Sequence, residues 1–245
     1  MMNEVVEGNC LEIMKELPND SVDMVLCDLP YGTTQCKWDT VIPFEPLWAE
    51  YHRVCKPRAP MIFTASQPFT SQLINSNIKN FKYTWVWEKS KATGYLNAKR
   101  MPMRAHEDIC VFYKKAPVYN PQMRPGDPYN KGKAHRPTEV YGTQVSTLVK
   151  NDSGLRYPRT VIYFKTAESE GKVYHPTQKP VALFEYLIAT YSTLGDVVLD
   201  SCIGSGTTAL AALKLGRRFI GIESDPKYVD IANQRINNLI KRNTE

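Results

Sequence analysis

A glycine-rich turn lies near the end of this chain, and its position restricts the fold more than its spelling does. Residues 199–209 read LDSCIGSGTTA. The run DVVLDSC (196–202) has the character of a strand buried on both faces. SGTTALAALKLG (205–216) has helical spacing, with Gly216 placed to end it. A strand that turns through Gly204 and Gly206 into a helix brings backbone N–H groups against a ligand. The next strand, RRFIGIE (217–223), ends in Glu223, where a carboxylate can accept hydrogen bonds from ribose hydroxyls. The loop also satisfies the dinucleotide pattern G-x-G-x-x-A, but a dinucleotide fold needs a second strand–helix–strand half after it. Only 22 residues follow Glu223, and they read as one helix (225–243) with Asp225 as N-cap and Pro226 in first position. The other strands must come from upstream, so the sheet is permuted.

Those strands are visible upstream. VDMVLCD (22–28) and PMIFTA (60–65) are short apolar runs ending in polar residues, and residues 45–54 between them have helical spacing of Leu47, Trp48, Tyr51 and Val54. YTWVWEK (83–89) and EDICVFYK (107–114) are rich in β-branched and aromatic residues, so Trp85 and Trp87 read as sheet packing. PVALFEYLIATYS (180–192) is an amphipathic helix opened by proline. Strands alternating with helices predict an α/β fold with a doubly wound, mostly parallel sheet. Its switch-point crevice is expected between the strand ending at Asp200 and the strand ending at Asp28. The glycine loop and the turn DLPY (28–31) then face each other across one cleft of nucleoside size.

Residues 115–172 break the pattern. They contain Pro117, Pro121, Pro125, Pro128, Pro137 and Pro158, with tyrosines at 119, 129, 141, 157 and 163, and lack helical periodicity. An irregular insertion with a binding role is expected here, between a catalytic half (1–114) and a cofactor-binding half (173–245) of one domain. Charge supports this reading. Residues 89–172 hold 16 Lys and Arg against 7 Asp and Glu, which suits a polyanion, while the rest of the chain is slightly acidic. No stretch approaches the roughly 18 apolar residues of a membrane span. The acidic N-terminus MMNEVVEGNC does not read as a signal peptide, and six scattered cysteines without a CxxC pair indicate neither a zinc site nor a disulfide framework. Reduced thiols and a cytoplasmic location are expected.

Taken together, these motifs resemble the amino-directed DNA methyltransferases that use S-adenosylmethionine, in their β-class order. DLPY is similar to the catalytic D-P-P-Y, with Leu29 for the first proline. DSCIGSGTT (200–208) resembles the cofactor loop D-P-F-x-G-S-G-T-T, departing at Ser201 and Cys202. HPTQKP (175–180), RAHEDICVFYK (104–114) and IGIESDPKYVDIANQRI (220–236) are also family-like, while Gly8-Asn9 stands where Gly-Asp is common. The resemblance implies a Rossmann-like methyltransferase fold with the insertion as target-recognition segment. Asp28, Pro30 and Tyr31 are then catalytic. Asp28, Asp200, Ser201, Ile203, Gly204, Ser205, Gly206, Thr207 and Glu223 hold the cofactor, and Thr177 and Lys179 meet its methionine end; no metal is expected. Duplex DNA is the implied partner, and a homodimer and a cognate restriction enzyme are admitted.

The chemistry follows from the nucleophile. The lone pair of an exocyclic amine is delocalised into the base, and two acceptors on its hydrogens draw the nitrogen toward tetrahedral geometry. Asp28 can supply one and the carbonyl at Leu29 or Pro30 the other, with Tyr31 stacking on a base taken out of the duplex. A C5-cytosine enzyme would need a nucleophilic cysteine, normally after proline, and the chain has no Pro-Cys dipeptide. In the family, aspartate at position 28 points to adenine N6 and serine to cytosine N4. N4-cytosine and RNA methyl transfer remain the alternatives.

Overall fold

The central apolar runs are too short for helices and too uniformly apolar for a sheet with one wet face, and they form the middle of a covered sheet. The structure, a computed structural model, describes residues 1–36, 38–134, 139, 142 and 147–244. In chain order its main elements are β1 (Glu4–Glu7), α1 (Cys10–Lys15), β2 (Met24–Cys27), α2 (Phe44–Val54), β3 (Met61–Ala65), α3 (Phe69–Ser76), β4 (Phe81–Thr93), β5 (Arg104–Phe112), β6 (Tyr129–Ala134), β7 (Thr147–Asn151), β8 (Val161–Phe164), α4 (Val181–Tyr191), β9 (Val197–Asp200), α5 (Thr207–Lys214), β10 (Arg218–Glu223) and α6 (Pro226–Thr244). One compact unit comprises residues 1–120 and 160–245, and a second comprises 121–159.

The first unit is built on an eight-stranded sheet in the order β1-β10-β9-β2-β3-β5-β4-β8. The strands from β1 to β3 run parallel, β5 is antiparallel to both its neighbours, and β8 is parallel to β4. The permutation expected from the sequence is present: β9, late in the chain, pairs with β2, with Val25 opposite Leu199. Alternation sends Val25 and Cys27 to one core with Tyr51 and Phe63, and Met24 and Leu26 to the other with Phe184 and Phe219. Burying each such side chain is worth about 1.5–3 kcal/mol, which sets the strand register firmly. Asp28 and Asp200 therefore emerge at the same carboxyl edge of adjacent strands. Among the described residues no helix is long and apolar enough to cross a membrane.

The second unit is an antiparallel hairpin of β6 and β7 with flanking turns. The Arg156 guanidinium lies 4.7 Å from the Tyr129 ring centre, and Gly154 turns against the Gly126 carbonyl where a Cβ would collide. This unit is narrower than the insertion read from the sequence. Residues 161–164 belong to the main sheet instead, because VIYF alternates: Ile162 is buried while Val161 and Tyr163 face out. Residues 167–170 then cap a helix. Pro180 leads into α4 without a capping side chain, and Glu170 accepts the N–H groups of Val181 and Ala182 at 2.7 and 2.9 Å. Pro137 and Tyr141 of the predicted insertion lie outside the described residues.

Ile203 packs onto Gly221 of β10, where an added Cβ would meet its Cδ1 at 2.4 Å. Gly221→Ala should displace the loop and cost about 1–3 kcal/mol, lowering the melting temperature by roughly 2–4 °C for each kcal/mol. Ile203→Ala should cost less in that background than alone; a Gly221→Ala protein as stable as its parent would contradict this packing.

Candidate active site

The glycine loop is held from below and behind. Gly204 and Gly206 take φ of +51° and +88°, conformations that exclude most side chains. A Cβ on Gly206 would lie 3.1 Å from that of Ala232, so this glycine lets the loop settle on α6. Asp200 is buried, and burial pushes its carboxyl up to about 6 against the opposing hydrogen bonds of the Thr208 hydroxyl and the Cys202 N–H. It braces the turn. The Glu223 carboxylate accepts the N–H groups of Gly204 and Asp225, each at 2.9 Å, which fixes it at the loop's edge. Ser205 donates to Gln178 at 3.0 Å and Thr207 to the Lys179 carbonyl at 3.3 Å, tying the loop to HPTQKP.

Across the cleft, Asp28 leaves the end of β2 into a web of donors. Its Oδ1 accepts the Tyr31 hydroxyl at 2.7 Å and the Thr64 hydroxyl, and its Oδ2 accepts the Lys179 ammonium at 2.6 Å. Lys179 is only 6% exposed and also lies 3.5 Å from Glu107, which pairs with Lys89 at 3.2 Å. Two cations and two carboxylates thus alternate across β2, β4, β5 and the start of α4. Burial alone would lower the Lys179 ammonium, but Asp28 and Glu107 outweigh it and hold it above its ordinary value. Burial likewise opposes ionisation of Glu107, yet Lys179 and Lys89 keep it below the ordinary carboxylate range. The Tyr31 ring stacks on Phe69 at 5.0 Å, which sets its plane. Asp39 accepts three successive backbone N–H groups, of Gly32, Thr33 and Thr34, and closes the turn after DLPY.

The two sides enclose one cavity of about 630 Å³. It lies within the size range of small-molecule sites, and a backbone cradle, an acidic group beside it and aromatic walls suit a nucleoside cofactor together with a second aromatic group. Of the residues singled out in the sequence, Asp28, Pro30, Tyr31, Thr177, Lys179, Asp200, Ser201, Ile203, Gly204, Ser205, Thr207 and Glu223 line it, and Gly206 does not. Ser201 turns its hydroxyl toward the core, 2.6 Å from that of Tyr51. The structure directs the Lys179 ammonium onto Asp28 and Glu107. Sequence reasoning missed Thr64, Lys89, Glu107 and the wall formed by Trp38, His175 and Tyr228, whose rings lie 4.9 and 4.3 Å from His175. Burial lowers His175, and its Nδ1 accepts the Thr177 N–H, so the ring is neutral at pH 7.

The family model described as DNA methylase matches residues 22–234. The chain is 29% identical to the Type II methyltransferase M1.MboII of Moraxella bovis, covering 97% of this chain and 98% of that protein. It is 26% identical to the Type II methyltransferase M.HpaI of Haemophilus parainfluenzae, covering 96% and 74%. Among solved structures, the M1.HpyAVI–SAM complex matches with a TM-score of 0.65 at 26% identity, covering 96% and 98%. The cytosine-N4-specific PvuII DNA methyltransferase, at 15% identity and a TM-score of 0.64 over 97% and 91%, shares the fold.

Lys179→Met should leave the half-buried Asp28 and Glu107 carboxylates without their shared cation, at a cost of about 3 kcal/mol near neutral pH. The wild-type protein gains stability from Glu107 as pH rises through the ordinary carboxylate range, because its folded form is the stronger acid. In the variant only Lys89 is left to offset the burial of Glu107, so that gain shrinks. The deficit in melting temperature should therefore be larger at pH 7.5 than at pH 5; an equal deficit at both would contradict the charge network.

Proposed function

The chain belongs to the N6/N4 DNA methylase family, and we propose that it methylates the N6 amino group of an adenine flipped out of duplex DNA at a specific sequence. Its cofactor is S-adenosylmethionine, which supplies an electrophilic sulfonium methyl when bound. The observation that carries the adenine assignment is the Asp28 carboxylate, held at the cavity wall by Lys179, Tyr31 and Thr64. In the family this sequence resembles, aspartate at that position points to adenine N6.

Each residue then has a physical task. Asp28 accepts a hydrogen bond from the amino group, and the carbonyl at Leu29 or Pro30 accepts a second, freeing the nitrogen lone pair. Pro30 restricts the backbone that presents this carbonyl. Lys179 holds the carboxylate in place by its hydrogen bond. Tyr31, its plane set by Phe69, offers an aromatic surface to the base. Glu223 accepts from the ribose hydroxyls, and the loop from Asp200 to Thr207 presents its backbone to the cofactor. Rate enhancement comes from positioning and electrostatics rather than from a covalent intermediate. The unit at 121–159, within the insertion read at 115–172, carries sequence recognition, and the Type II relatives support a role in restriction-modification.

The test transfers tritiated methyl groups to duplex DNA, digests the product and separates the nucleosides. Label is expected in N6-methyladenine, and label in N4-methylcytosine would overturn the choice of base; RNA methylated in preference to DNA would overturn the substrate. Asp28→Ala should lower transfer by about 100-fold or more while the protein still binds S-adenosylhomocysteine in a thermal-shift measurement. Glu223→Ala should weaken that shift.

A further inference from the structure

The strands β4 and β5 form a hairpin that borders the cavity and continues beyond it. The outermost pair of its ladder, Thr93 opposite Arg104, lines the cavity wall. The ten residues between them form a tip around the short turn Tyr95–Asn97. This tip holds apolar side chains in water: Tyr95 is 74% and Leu96 82% exposed, and Met101 and Met103 are exposed beside them. Such a cluster is unusual on a surface that has nothing to meet. Its surroundings are one-sided in charge. Residues 89–106 include five Lys and Arg and no acidic residue. Lys89 is engaged with Glu107 inside the site and Lys91 lies 3.9 Å from Glu168, while Lys99, Arg100 and Arg104 are exposed around the tip.

We propose that this tip is a second DNA-contacting element, separate from the recognition unit, in which Tyr95 and Leu96 enter the base stack beside the target and fill the space that the flipped base leaves. The inference rests on the DNA-methylating function argued above. Extracting a base costs unstacking and unpairing energy, and an apolar side chain placed in the gap offsets it. The exposed cations hold the flanking phosphates without reading sequence. The position is suitable, because the same two strands carry Lys89 and Glu107 at the cavity and the apolar tip at their far end. Self-association through this patch is disfavoured, since a two-fold interface would bring two collars of like charge together.

The test compares wild type with Tyr95→Ala/Leu96→Ala on two duplexes bearing the sequence found methylated in DNA from cells expressing the chain. One is fully paired; the other has an abasic site opposite the target base, so the base is already free to leave. The variant should lose about tenfold or more in single-turnover rate on the paired duplex and recover to within about threefold of wild type on the abasic one, because the cost of extraction has been removed. Its melting temperature should be unchanged, as both side chains are exposed. Lys99→Ala/Arg100→Ala should instead weaken binding to both duplexes and flatten its salt dependence. Equal rates for wild type and Tyr95→Ala/Leu96→Ala on the paired duplex, or an equal loss on both duplexes, would overturn the proposal while leaving the methyltransferase reading intact. A change from dimer to monomer in sedimentation would replace it with a self-association surface. Wild-type protein inactive on both duplexes would overturn the functional reading and this one with it.

Discussion

The ion pair between Lys179 and Asp28 joins residues 151 positions apart in the chain. The ammonium is not tolerable alone at that depth. An ammonium 6% exposed pays a desolvation penalty of several kcal/mol unless met by opposite charge and hydrogen bonds, which Asp28 supplies from the end of β2. Meeting that condition requires β2, β5 and the start of α4 to converge within a few ångströms. Thr64 from β3, Glu107 from β5 and Lys89 from β4 complete the network, so five segments share one electrostatic centre. A group fixed in this way needs little reorganisation when a substrate arrives.

Permutation of the sheet makes the convergence possible. Because β9 and β10 come last in the chain, the segment from His175 to Pro180 approaches the cleft immediately before the strands that carry the glycine loop. Lys179 offers its ammonium to Asp28 and its carbonyl to Thr207, so one residue touches both sides of the cleft. Glu223 performs the matching task at the other end, bonding to the Gly204 N–H through its side chain and the Gly8 N–H through its carbonyl. The cavity between them is a consequence of strand order rather than of any one loop.

Much of this was legible in the sequence where the constraint is local. Gly204 must turn with positive φ, Asp225 must cap a helix that begins with Pro226, and the runs around Val25 and Val198 must be buried strands. Each can be read from a few neighbouring residues. What escaped notice was decided at long range. Glu107 and Lys89 look like ordinary strand residues until β4 and β5 pair, setting Lys89 against Glu107 and Glu107 against Lys179. Lys179 reads as a cofactor contact in the sequence, and its pairing with Asp28 is visible only when residues 151 positions apart are brought together. Gly206 belongs to the loop motif, yet its smallness serves the approach of α6 at Ala232. Residues 161–164 were hidden among prolines and tyrosines because four alternating residues are too few to stand out before they pair with β4 as the sheet's edge strand.

The central claim is that Lys179 serves Asp28 and leaves the cofactor to Glu223 and the glycine loop. A crystal structure of the chain with S-adenosylhomocysteine tests it most directly. The account predicts the ligand in the cleft with its ribose at Glu223, and the Lys179 ammonium still paired with Asp28. A Lys179 side chain turned onto the ligand's carboxylate, with Asp28 released, would contradict it.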